Sequence, residues 1–169
     1  MISRKIVLVG DFSTGKTSLI RRFVDNQFSD SYLSTIGVKI SKKQIPLKEE
    51  VIQALIWDIE GGTPNKPVNT TYLLGAHGCI LVADSTREET IENIDGYLDI
   101  VKKCAPKSAF ILVLNKCDML NEIEKELLYK GVGERFKDRI EHIYLASAKT
   151  GEEVETMFRA IATLVSPKG

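Results

Sequence analysis

Residues Gly10-Asp11-Phe12-Ser13-Thr14-Gly15-Lys16-Thr17 fit the spacing G-x-x-x-x-G-K-[ST], a run suited to grip a chain of phosphates. Glycine lets the backbone wrap tightly with its N–H groups facing inward. A helix starting at the end of the loop adds roughly half a positive charge. Lys16 then reaches toward the β- and γ-phosphates, and the Thr17 hydroxyl is a candidate Mg²⁺ ligand. Asp11, Phe12, Ser13, Thr14, Gly15 and Ser18 complete the expected cradle. The competing reading is an ordinary strand-to-helix turn with an exposed lysine. The strand-like Ile6–Val9 before the motif and the helix-like Thr17–Val24 after it favour the cradle. The motif implies a nucleoside triphosphate and leaves the base open.

Asn115-Lys116-Cys117-Asp118 follows the apolar run Phe110–Leu114, at the strand end where open α/β sheets bind ligands. An aspartate there can accept two hydrogen bonds from guanine, from N1–H and the exocyclic amine. Adenine presents an acceptor instead of N1–H and leaves the carboxylate desolvated and unpaired. Sites built on hydrogen bonds that the competitor lacks discriminate by about 10⁴ to 10⁵. The Lys116 stem can cover the base face while its ammonium stays near solvent. Ser147-Ala148-Lys149 follows the next strand, where a backbone N–H can serve the guanine O6. Taken singly, the first of these motifs also fits an Asx turn and the second an ordinary strand-to-helix turn. In order, at successive strand ends, they point to one guanine nucleotide.

The elements that must hold these loops are readable from hydrophobic pattern. Ile6–Val9, Cys79–Ala83, Phe110–Leu114 and Ile143–Ala146 are near-continuous apolar runs, the habit of parallel strands buried on both faces. Amphipathic helices are expected between them. One spans about 88–104, with Thr86 and Glu89 as a capping box, and one about 122–130, interrupted by Gly131-Val132-Gly133. A last helix carries Val154, Met157, Phe158, Ile161, Leu164 and Val165, with Thr150 and Glu153 as its box. Segments 37–46 and 50–58 are joined too tightly for a parallel crossover, so they form an antiparallel edge hairpin, with Lys39, Lys42 and Lys43 guarding the edge. The fold class is α/β: about six strands, mostly parallel, with helices on both faces, in one domain over 1–169. Segments 26–36 and 60–67 read as irregular, and loops in a tightly packed chain often carry function.

Composition narrows the classes. Lys plus Arg and Asp plus Glu are 23 each, so the chain lacks the broad basic field of a nucleic-acid binder or the polybasic tail of a lipid binder. Cys79, Cys104 and Cys117 share no zinc-like spacing and read as free thiols in a reducing compartment. There is no signal-peptide stretch, no apolar run long enough to span a membrane, and no myristoylation or prenylation signal. The expectation is a cytoplasmic monomer with no membrane anchor within this chain: either a natively soluble protein, or the core of one that reaches membrane only through a tail or partner outside this sequence.

With these motifs in hand, the sequence resembles the Ras superfamily of small GTPases, the Rab branch most closely, over essentially its whole length. Besides the phosphate loop and the two base-reading motifs, Ser34-Thr35-Ile36-Gly37, Trp57-Asp58 and Gly75-Ala76-His77-Gly78 carry the likeness. The resemblance implies a P-loop G domain that binds GTP or GDP with Mg²⁺. It implies switch loops near 26–37 and 58–74 that read the γ-phosphate and present it to effectors, an exchange factor or an activating protein. By the same likeness Phe28 packs against the guanine and Tyr32 closes over the phosphates. Thr35 binds Mg²⁺ and senses the γ-phosphate, Asp58 holds the metal, usually through water, and Gly61 offers its N–H to the γ-phosphate. Lys16, Thr35 and Gly61 are the expected catalytic set. The residues alone leave other readings open: Phe28 as a core anchor, Thr35 as a plain loop hydroxyl, Asp58 as a surface carboxylate. His77, His142, Trp57 and the tyrosines read as structural.

The pattern breaks in one place. Where relatives read Asp-x-Ala-Gly-Gln, this chain reads Asp58-Ile59-Glu60-Gly61-Gly62, so the water-orienting glutamine is replaced by a residue with no side chain. Like charges about 4–5 Å apart repel by a few kcal/mol at an effective dielectric of about 20. Glu60 must therefore point away from the phosphates, pair with a cation, or disfavour the closed triphosphate state. Phe12 adds bulk at the loop tip, where it can obstruct an arginine from an activating partner. The expectation is a switch that binds guanine nucleotide and hydrolyses GTP slowly. The alternative is a pseudo-GTPase module that holds nucleotide without efficient hydrolysis or switching. A P-loop kinase is disfavoured, since no arginine lies between Arg22 and Arg87 to build a lid and Asn115–Asp118 has no role there.

Overall fold

A computed structural model describes residues 1–31 and 33–167. Six strands form one sheet: β1 (Ile2–Val9), β2 (Val38–Pro46), β3 (Val51–Ile59), β4 (Gly78–Asp84), β5 (Ala109–Asn115) and β6 (His142–Leu145), in the spatial order β2-β3-β1-β4-β5-β6. All neighbours are parallel except β2 and β3, which form the antiparallel edge hairpin expected from the short connection. β1 is longer than its apolar run because Ile2 to Lys5 continue in register with Ile52 to Leu55.

Alternation along the strands divides the core. Ile6 and Leu8 of β1 face one layer, with Leu19, Ile20 and Phe23 of α1 (Lys16–Asp25) and Met157, Phe158 and Ile161 of α5 (Val154–Val165). Val7 and Val9 face the other layer, with Ile91 of α2 (Glu88–Glu92), Leu98 and Val101 of α3 (Ile94–Cys104), and Val132 and Phe136 of α4 (Glu122–Phe136). The Phe23 and Phe158 rings stack at 4.1 Å between centroids and tie α1 to α5. Each fully buried Leu, Ile or Phe is worth about 1.5–3 kcal/mol over exposure. The two layers therefore fix the strand ends from which the loops emerge.

Four local expectations are corrected. The helix expected over 88–104 is two helices that break at Asn93, where ψ is −9° and the side chain turns to the phosphate loop instead of continuing the face. Thr86 does not cap it: its N–H and hydroxyl both donate to Asp84 Oδ1. Thr150 and Glu153 form no capping box, because Glu153 itself stands at the helix entry in a left-handed conformation. The 122–130 helix is not interrupted by Gly131 and Gly133 but runs on to Phe136. Burial of Val132 and Phe136 outweighs about 1 kcal/mol per helical glycine. Its start is a true capping box, Asn121 with Glu124.

Candidate nucleotide-binding site

The carboxyl ends of β1, β3 and β5 open onto one cleft of about 400 Å³. Phe12, Ser13, Gly15, Lys16, Thr17 and Ser18 line it from the phosphate loop. Phe28, Thr35 and Gly61 line it from the two irregular segments, Asp58 from the end of β3, and Asn115, Lys116, Asp118, Ala148 and Lys149 from the loops after β5 and β6. Asp11, Thr14 and Ser147 stand behind this wall. Thr14 donates its hydroxyl to the Asp11 carbonyl at 3.0 Å, and the Ser147 hydroxyl donates to Asp118 Oδ1 at 2.7 Å. Tyr32 lies outside the described residues.

The loop is a turn that few side chains tolerate. Ser13 and Gly15 adopt positive φ, 66° and 94°, and a Cβ on Gly15 would sit 2.2 Å from Asn115 Nδ2. Lys16 folds over the loop and donates to the Gly10 and Asp11 carbonyls at 3.3 and 3.0 Å. Burial pushes its ammonium down to about 8, against the opposing pull of Asp58 and Asp11.

Asn115 staples the two halves of the site. It donates to the Thr14 carbonyl at 3.0 Å and accepts from Ala148 N–H at 3.2 Å. Lys116, in left-handed backbone, donates to the Ser13 carbonyl at 3.1 Å and pairs with Asp84 at 2.9 Å. Arg22 clamps the last loop through the Ala148 and Lys149 carbonyls. Asp118 is left exposed at the rim, with Ser147 fixing one of its oxygens. Phe28 both lines the cleft and packs against the core, so its two readings coexist.

Thr17, Thr35 and Asp58 come together from three different segments. The two hydroxyls lie 2.6 Å apart and reach Asp58 Oδ2 at 2.6 and 3.2 Å. Asp58 Oδ1 is buried and has no hydrogen-bond partner among the described residues. Burial pushes this carboxyl up, offset by the Thr17 hydroxyl and by Lys16. Among the described residues no three His, Cys, Asp or Glu side chains gather. One carboxylate with two hydroxyls is a hard-oxygen set suited to Mg²⁺, which keeps several of its waters, and the orphaned Oδ1 fits such a role.

Glu60 points away from the cleft. Its Oε2 accepts from Gly37 N–H at 3.1 Å and its Oε1 pairs with Lys66 at 3.1 Å, while Glu60 N–H donates to the Gly37 carbonyl. The Gly37 N–H, and then Lys66, hold its carboxyl below the ordinary range. The unusual carboxylate therefore ties the two irregular segments together. Phe12 is half exposed at the loop tip.

Sequence reasoning missed the groups that hold the loop from behind. Asp84, buried at the end of β4, collects Thr86, Lys116 and Arg87, and Arg87 in turn donates to the Phe12 carbonyl at 3.0 Å. Burial alone would raise the Asp84 carboxyl, but Thr86, Lys116 and Arg87 together keep it low. A carboxylate closing an otherwise apolar strand was the available signal.

The sequence matches the family model described as Ras family over residues 5–166. It is 33% identical to Ras-related protein Rab-13 of Mesocricetus auratus over 94% of this chain and 77% of that protein. It is 33% identical to Ras-related protein SEC4 of Candida albicans over 97% and 78%. With Ras-related protein Rab-1C of Dictyostelium discoideum it shares 34% over 94% and 79%.

The Lys16 geometry yields a pH dependence. Folding depresses this lysine from 10.5 to about 8, so its positive charge is present below that pH and lost above it. Affinity of the nucleotide-free protein for a GTP analogue is expected to fall by up to about tenfold per pH unit above 8. Stability of that form moves the opposite way, rising between 8 and 10.5, because the unfolded chain holds the extra proton. Calorimetric titration on either side of this value, with Lys16→Met as the flat control, checks the sign.

Proposed function

The chain belongs to the Ras family, and on that premise we propose that residues 1–169 form one G domain that binds GTP and GDP with Mg²⁺ and hydrolyses GTP slowly. The observation that carries this reading is the meeting, in one cleft, of an inward-folded Lys16, the Thr17–Thr35–Asp58 oxygens with an orphaned Oδ1, and a rim carboxylate at Asp118. Asp118 selects guanine through N1–H and the exocyclic amine. Phe28 and the Lys116 stem flank the base, and Ala148 and Lys149 close its far edge. Lys16 and the loop N–H groups hold the phosphates, with Ser18 and Ser13 at their sides.

Thr17, Thr35 and Asp58 would hold Mg²⁺, which when bound neutralises charge on the β- and γ-phosphates. Gly61 offers its peptide to the γ-phosphate. Switch loops near 26–37 and 58–74 then read that phosphate through Thr35 and Gly61, and present the outcome to protein effectors, an exchange factor or an activating protein. Gly62 orients no water, and Glu60 is turned to Gly37 and Lys66, so the chain's own residues supply electrostatic stabilisation without a positioned nucleophile.

One observation favours a second reading, a module that holds nucleotide without switching. Glu60 ties Gly37 to Lys66 through the chain's own groups, so part of the closure is internal to the chain. The readings part on whether a partner binds the two nucleotide forms unequally, because only differential binding shifts a population.

Two measurements test the proposal. Asp118→Asn is expected to weaken GTP and favour xanthosine nucleotides, whose C2 oxygen suits an amide donor. Unchanged GTP affinity contradicts the base-reading assignment. Single-turnover hydrolysis is expected at or below about 10⁻⁴ s⁻¹, and a rate above about 10⁻² s⁻¹ without a partner contradicts the slow-catalysis assignment.

A further inference from the structure

Position 62 is empty of side chain for a structural reason. Gly62 is buried, and a Cβ built there would lie 2.4 Å from Tyr97 Oη and 3.2 Å from Tyr97 Cζ. The tyrosine is not free to swing aside, because its hydroxyl donates to Asp11 Oδ1 in the phosphate loop. Asn93, at the break between α2 and α3, donates to the other oxygen of the same carboxylate at 2.8 Å. Asp11 therefore points away from the cleft and is gripped from two successive turns of the helical pair.

On the opposite side of Gly62, its N–H donates to the Gly10 carbonyl at 3.1 Å and its carbonyl accepts from Phe12 N–H at 3.0 Å. This bridge runs Gly61 so close that a Cβ on it would stand 2.6 Å from Phe12 Cα. Gly61 is thus pressed onto the phosphate loop on one side while lining the cleft on the other.

We propose that Tyr97 is a positioning residue: anchored on Asp11, it fills the space beside Gly62 and pins the Gly61–Gly62 backbone to the phosphate loop, so the γ-phosphate seat is built before nucleotide arrives. The inference rests on the guanine-nucleotide reading and deepens it. The seat at Gly61 is then a fixed piece of backbone, held by the Gly62 bridge to Gly10 and Phe12 and by the Tyr97 ring beside it. Preorganisation of this kind lowers the ordering cost of binding the ligand that uses the seat and leaves the ligand that does not use it unaffected.

The test measures dissociation constants for fluorescent GDP and a non-hydrolysable GTP analogue on the full chain. Tyr97→Phe keeps the ring and removes the hydrogen bond to Asp11. It is expected to weaken the GTP analogue by about three- to tenfold while changing GDP by less than about twofold. Gly62→Ala is expected to show the same selective loss. In a Tyr97→Ala background, where the added methyl has room, Gly62→Ala is expected to add nothing further. Equal weakening of both nucleotides by Tyr97→Phe, or a Gly62→Ala effect undiminished in the Tyr97→Ala background, overturns the positioning role and leaves the nucleotide reading standing. Failure of the unmodified chain to bind either nucleotide overturns both. Thermal unfolding of each GDP-loaded variant separates a folding defect, which lowers both affinities together, from the selective loss.

Discussion

A cradle for phosphate must hold its dipoles and its ammonium facing one another before any anion is there to reward them. In this chain that arrangement is the costly one. Ser13 and Gly15 take positive φ, Lys16 is buried against carbonyl oxygens, and Asp58 keeps one oxygen without a hydrogen-bond partner among the described residues. Such strain persists where the surroundings over-determine it. The surroundings here are specific: Asn115 and Lys116 hold the Thr14 and Ser13 carbonyls, Arg87 holds the Phe12 carbonyl, and Asn93 and Tyr97 hold the Asp11 side chain. The consecutive residues Asp11 to Thr14 are thus gripped from three places: Asn93 and Tyr97 around the start of α3, Arg87 before α2, and the end of β5.

The two halves of the cleft are not separate modules. Asn115 donates from its amide nitrogen to the Thr14 carbonyl and accepts from the Ala148 peptide with its oxygen, so one side chain joins them. Lys116 leans on Asp84 while its stem flanks the cleft. Glu60 extends the coupling outward by joining Gly37 to Lys66. The carboxylate at position 60 is thereby a tie between loops and is turned away from the cleft, so the repulsion expected from its sequence position does not arise.

Much of this was legible without coordinates, for identifiable reasons. The parallel strands announced themselves as unbroken apolar runs, and the edge hairpin by a connection too short for a crossover. The motif residues stood out by their types and spacing, and the structure brings most of them to one cleft. What stayed hidden depends on tertiary contact. No local pattern says that α4 continues through Gly131 and Gly133; the buried Phe136 decides it. Nor does any motif say that Thr86 serves Asp84 instead of a helix end, or that Asn93 breaks a helix to reach a residue 82 positions earlier. Gly62 was read correctly as lacking a side chain, but the reason, a tyrosine already in its place, lies on another element.

A cleft proposed to hold a guanine nucleotide is tested most directly by chromatographic analysis of what the purified, native chain releases on denaturation. Close to one equivalent of GDP or GTP per chain is expected, and no adenosine compound. Release of adenine nucleotide in comparable amount, or an empty cleft that fails to take up added GDP in the presence of Mg²⁺, would contradict that proposal.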